Sequence, residues 1–134
     1  MNGRDDSPVD GSLRGRVLIV EDEPLVAENL RILLVECGFE VVGMSTRVDI
    51  ALRLIEDVGC DVAIVDANLA GVSAAPIAEA LSQRQLPFIV LSGYTRAQLA
   101  DQFLGATYVQ KPYRIEQLVE QLNTVLLRRA AATD

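Results

Sequence analysis

Four apolar runs in this chain end on residues that could do chemistry. RVLIV ends on three consecutive carboxylates, Glu21, Asp22 and Glu23. VAIV runs into Asp66, with Asn68 two residues on, FIVL runs into Ser92, and TYVQ runs into Lys111. Carboxylates crowded at a partly buried site cannot all stay charged without a partner, because burial and mutual repulsion push at least one pKa up. A hard divalent cation removes that penalty. Mg2+ suits the set best, since it takes one or two carboxylates together with waters and a phosphate. The cluster offers no sulfur or imidazole to select a softer metal.

The elements between these residues must bring them together. VLIV (17–20), VAIV (62–65) and FIVL (88–91) are short continuous apolar runs, as expected of strands covered on both faces. PLVAENLRILLVEC predicts a helix with Leu25, Val26, Leu30, Leu33 and Leu34 on one stripe, stopped by Gly38. FEVVGMS reads as a strand, and VDIALRLIEDV as a helix with Ile50, Leu54, Ile55 and Val58 inward. Pro76 to Gln83 carries a helical pattern, and Arg96 to Phe103 a weak one. The last helix runs from about Ile115 to Arg128 and buries Ile115, Leu118, Val119, Leu122, Val125 and Leu126.

Alternating strands and helices of this kind predict an α/β fold, a doubly wound parallel sheet with helices on both faces. Right-handed crossovers then place every strand's carboxyl end along one edge, where ligands bind in open α/β sheets. The three acids, the hydroxyl and the lysine all fall on that edge.

Length and composition narrow the function. At 134 residues the chain has room for one domain. The expected layout is a flexible N-terminal tail over 1–14, the domain over 15–129 and a frayed C-terminus over 130–134. A net charge of −7 argues against a nucleic-acid surface. No apolar run approaches the ~20 residues of a membrane span, and no signal-peptide pattern opens the chain, so a cytoplasmic protein is expected. Cys37 and Cys60 have no metal spacing and read as buried thiols. Histidine is absent, and Lys111 is the single lysine against eleven arginines.

Each site residue also has a plain structural reading. Acids at strand ends cap the following helix or favour its dipole. Ser-Gly is ordinary turn chemistry, and a lone lysine is usually a solvated charge. Taken together, each at a different strand's end, they are harder to explain that way.

The ordered set VEDE, VDANL, LSGY and YVQKP resembles the receiver domain of two-component response regulators. That resemblance implies a flavodoxin-like five-stranded parallel sheet of order 2-1-3-4-5. It implies that Asp66 is the phosphoryl acceptor, with Mg2+ bound by Asp22, by Asp66, by Glu21 through water and by the backbone carbonyl of Asn68. Lys111 would pair with the acceptor and then with the phosphoryl group. Ser92 would donate to a phosphoryl oxygen, and Tyr108 would turn inward when that bond forms. Tyr94 and Asn68 lie where receivers tune the lifetime of the phosphoaspartate. Family members also carry a cis peptide at the position of Lys111–Pro112. The physics agrees with these roles: phosphoryl transfer needs in-line positioning and neutralised oxygens, and a compact ammonium can follow an anion that an arginine fork would clamp.

The expected function is a stand-alone signalling domain rather than a turnover enzyme. It would take its phosphoryl group from a histidine kinase or a histidine phosphotransfer protein. It would then act on a downstream protein partner or as a phosphate sink, with no nucleic-acid or membrane partner. The chain departs from the family pattern at Ala70, where receivers usually carry proline, so a looser loop after the third strand is expected. Ser-Gly-Tyr with a short following segment is similar to a subset of single-domain regulators. An acidic-site Mg2+-dependent phosphatase-like hydrolase would place its nucleophile after the first strand, with an acid rather than Asn68 two residues on. A nucleotide- or flavin-binding domain would need a glycine-rich loop where EDEP stands. A degenerate receiver used as a scaffold would not keep the acid–hydroxyl–lysine set.

Overall fold

The computed structural model describes residues 14–69, 71–93 and 106–133. Ala70, Tyr94, the stretch from Arg96 to Phe103 and all of the expected tail but Arg14 lie outside the described residues. In chain order the elements are β1 (Arg16–Val20), α1 (Pro24–Glu36), β2 (Glu40–Ser45), α2 (Val48–Asp57) and β3 (Val62–Asp66). A small ribbon, β4 (Asn68–Leu69) and β5 (Val72–Ser73), precedes α3 (Ala75–Gln83), β6 (Phe88–Ser92), β7 (Thr107–Gln110) and α4 (Ile115–Thr133). The main sheet is parallel and ordered β2-β1-β3-β6-β7. This is the flavodoxin-like order 2-1-3-4-5 once the separate antiparallel ribbon is set aside.

Strand residues alternate between two cores, which is why the strands read as unbroken apolar runs. Leu18, Val20, Ala63, Val65 and Val90 face α2 and α3, packing with Ala51, Ile55, Ile77 and Leu81. Val17, Ile19, Ile64, Ile89 and Leu91 face α1 and α4, packing with Leu30, Leu34, Leu118 and Leu122.

Two helical faces differ from the expected ones. In α1 the buried residues are Ala27, Leu30 and Leu34, while Leu25 is 85% exposed and Val26 also faces outward. In α2 they are Ala51 and Ile55, with Ile50 and Val58 exposed and Leu54 half-buried. A helix lying close on a sheet leaves room for alanine at the point of contact, and the bulkier neighbours turn away. In α4, Leu118, Val119, Leu122 and Val125 are buried as expected, with Ile115 and Leu126 half-buried against them. That helix continues past Arg128 to Thr133, into the segment expected to fray.

Gly38 stops α1 as expected. Its φ of 94° suits glycine, and Phe39 N–H donates to Leu34 O at 3.1 Å, tucking the Phe39 ring into the core. Cys60 is buried, and burial together with the neighbouring Asp61 charge pushes its thiol pKa up to about 11. Cys37 is only half-buried.

At the opposite end of the sheet from the acidic residues, Asp61 ties three elements together. One carboxylate oxygen accepts Arg16 N–H at 2.8 Å at the start of β1, and the other pairs with Arg129 of α4 at 3.0 Å. Removing the carboxylate strands a backbone donor, whereas removing the half-exposed arginine loses only a screened pair. Asp61→Ala should therefore cost about 1–2 kcal/mol and Arg129→Ala under about 1 kcal/mol. Urea unfolding midpoints of the two variants check that order.

Candidate functional site

The parallel register decides which side chains meet. Asp66, the last residue of β3, pairs with Leu91, so Ser92 emerges one step further along β6, opposite Gln110. Three backbone bonds carry the ladder beyond the strand ends. Glu21 N–H donates to Ser45 O at 3.0 Å, Ala67 N–H to Leu91 O at 2.9 Å, and Lys111 N–H to Ser92 O at 2.8 Å. Glu21, Asp66, Ser92 and Lys111 are thus held on one rim by main chain alone. The Lys111–Pro112 peptide that follows is cis.

The rim encloses an open depression of about 300 Å3 with Asp22, Asp66, Asn68, Gly71, Ser92 and Lys111 in its wall. Lys111 Nζ donates to Asp66 Oδ2 at 2.8 Å and stands 3.6 Å from Glu21 Oε1. Asp66 Oδ1 accepts Asn68 N–H at 3.0 Å, and Asn68 Oδ1 accepts Gly71 N–H at 2.7 Å. Glu21 is 2% exposed; its Oε2 accepts Glu23 N–H at 3.2 Å, while its buried Oε1 makes no hydrogen bond.

Glu21, Asp22 and Asp66 can each bring a carboxylate oxygen within 4.8 Å of the others. The electrostatic result is visible at Glu21. Burial first, then hydrogen bonding with Asp22 and the charge of Asp66, push its pKa up to about 7, against the opposing pull of Glu23 N–H and Lys111. At Lys111 burial disfavours the ammonium, but the hydrogen bond and charge of Asp66, with Glu21, outweigh it and raise the pKa. One ammonium does not balance three carboxylates. Hard oxygen donors, a buried oxygen without a hydrogen bond and a suppressed charge fit a divalent cation such as Mg2+.

The capping alternative fails for the acidic triplet in its simplest form. Glu23 occupies the N-cap of α1 and makes no side-chain cap bond. Of the expected residues, Glu21, Asp22, Asp66, Asn68, Ser92 and Lys111 come together. Tyr108 lies further back in β7, opposite Val90, half-buried against the core that holds α2 and α3. Tyr94 lies outside the described residues.

Two participants were not singled out from sequence. Gly71 lines the depression with a φ of 85°, beside the small ribbon that follows β3. The available signal was an Asn and a Gly close together after a strand, residue types that favour turns. Tyr113, close to Lys111, is half-buried, and burial raises its pKa. Its signal was position alone, one residue past the proline.

The raised Glu21 pKa sets a pH dependence. Below its usual 4.5 the carboxyl is protonated folded or unfolded; between 4.5 and about 7 only the folded chain keeps the proton. Stability of the metal-free protein should therefore fall as pH rises through that window, by on the order of 3 kcal/mol, and level off above it. Denaturation midpoints from pH 4 to pH 8 should show this slope in the native chain and a flatter one in Glu21→Gln.

Comparison with known proteins gives a consistent answer. The family model described as "Response regulator receiver domain" matches residues 17–123. Among curated proteins, the transcriptional regulatory protein PdtaR of Mycobacterium tuberculosis is 31% identical over 125 residues, covering 89% of this chain and 60% of that protein. The sensory transduction protein RegX3 of Mycolicibacterium smegmatis is 36% identical over 126 residues, covering 88% and 53%. This chain therefore spans little more than half the length of these relatives. Among solved structures, the signal receiver domain of a modulated diguanylate cyclase from Desulfovibrio desulfuricans superposes with a TM-score of 0.78 at 28% identity, covering 88% of this chain and 98% of that one. The response regulator PhyR from Brucella abortus gives 0.80 at 26% identity, covering 91% and 51%. In sequence and in fold, the chain belongs to the response regulator receiver domain family.

Proposed function

We propose that Asp66 accepts a phosphoryl group from a phosphohistidine on a histidine kinase or histidine phosphotransfer protein. The observation that supports this most is Lys111 Nζ lying 2.8 Å from Asp66 Oδ2 in the depression shared with Asp22 and Ser92. An oxygen lone pair of Asp66 forms the new O–P bond as the donor's N–P bond breaks. The electron pair of that bond leaves on the imidazole nitrogen, which takes up a proton. Hydrolysis later returns the carboxylate and inorganic phosphate.

Each neighbour has a part in that step. Lys111 neutralises the acceptor before transfer and a phosphoryl oxygen after it, as a mobile point charge can. Ser92 donates its hydroxyl to another phosphoryl oxygen. Receiver domains bind Mg2+ at an acidic site, and here Asp22, Asp66 and the Asn68 carbonyl, with Glu21 through water, would hold it. When bound, the ion supplies positive charge against the transferring oxygens.

Loading then biases a two-state element. Ser92 moves toward the new oxygens, Tyr108 turns inward behind it, and the surface at β6 and β7 changes. The altered surface is read by a protein partner, or the chain drains phosphoryl groups from its kinase.

Two measurements test this. Incubated with a small phosphodonor and Mg2+, the chain should gain the mass of one phosphoryl group, and Asp66→Asn should not. Turnover of phosphate esters with no lasting adduct would instead support a hydrolase. On addition of a phosphate mimic, amide NMR shifts should reach Tyr108; shifts confined to the immediate surroundings of Asp66 would rule out the switch.

A further inference from the structure

We propose that the side chain of Asn68 is a positioning residue for the Asp66 carboxylate and acts through Gly71. It sets how well Asp66 receives a phosphoryl group. The inference rests on Asp66 being the acceptor.

Each oxygen of Asp66 accepts a hydrogen bond. Lys111 Nζ takes Oδ2 at 2.8 Å from the end of a long, partly solvated side chain. Asn68 N–H takes Oδ1 at 3.0 Å, and as a backbone group it is the stiffer tether. A carboxylate fixed at both oxygens cannot rotate about its last bond, which is the freedom an in-line transfer must remove. What holds the Asn68 peptide at that angle is the question.

The ribbon does not do it by packing. Its strands are two residues each, Asn68 pairing with Ser73 and Leu69 with Val72. Leu69 is buried, but Val72 is 56% exposed, so the outer strand has little to rest on. The bond closing the base, Ala74 N–H to Ala67 O, is long at 3.4 Å. The short tie is the one across the turn, from Gly71 N–H to Asn68 Oδ1 at 2.7 Å. Gly71 meets it with a φ of 85°, a conformation that costs any residue with a Cβ. A Cβ there would find open space, so Gly71→Ala perturbs backbone preference without a clash. The same bond can thus be weakened from either end, and Gly71 has no side chain with which to touch the phosphoryl group.

The test uses phosphoramidate with Mg2+, following uptake and hydrolysis separately by intact mass. Asn68→Ala and Gly71→Ala should each slow uptake roughly fivefold, the worth of one ordinary hydrogen bond. The double variant should be no slower than the worse single one, because both changes remove one interaction. Amide hydrogen exchange at Gly71 supplies a readout that needs no phosphorylation. Protection should be lost in Asn68→Ala and kept in Asn68→Asp, which retains an accepting oxygen. Multiplying rate effects in the double variant, or an Asn68→Ala defect confined to hydrolysis, would overturn the inference. A wild-type chain that takes up no phosphoryl group would overturn it together with the acceptor role of Asp66. A normal wild-type adduct with an unaffected Gly71→Ala overturns the positioning role alone.

Discussion

One ammonium among three carboxylates is the interaction around which the carboxyl edge of this sheet is organised. Without Lys111 beside it, Asp66 would face Glu21 and Asp22 across a poorly solvated gap, at a high electrostatic cost. With Lys111 in place the cost is reduced but not removed, and burial, with that remainder added, leaves a Glu21 carboxyl that resists ionisation. A site left under-compensated in this way favours an arriving cation over an arriving anion.

Such a cluster must be held by something other than its own attractions, and backbone supplies that. The three hydrogen bonds extending the ladder past β1, β3 and β7 fix where Glu21, Asp66 and Lys111 leave the sheet. Two apolar cores brace the strands from either face. The functional groups then sit at the ends of rigid elements, where small losses of order are costly to chemistry.

The same dependence on backbone explains what the sequence disclosed. Strands buried on both faces leave continuous apolar runs, so their ends, and the chemical residues at those ends, could be read directly: Glu21 and Asp22, Asp66, Ser92 and Lys111. The inward helical faces were harder. Ala27 and Ala51 are buried on the faces of their helices, yet they carry little weight in a hydrophobic pattern, and Leu25 and Ile50 drew the reading to the wrong side. The ribbon at Asn68 to Ser73 was missed because two-residue strands have no period. The Asp61 tie joins residues far apart in sequence, which no local pattern reports.

Cys60 lies next to that tie, sealed in the core with a thiol about two decades less acidic than usual at a pKa of about 11. At neutral pH its thiolate is scarce and the side chain is buried, so alkylation is favoured when the fold parts around it. The chain thus carries a native stopwatch for its own opening. Cys37, nearer the surface, serves as the reference channel that reports reagent strength.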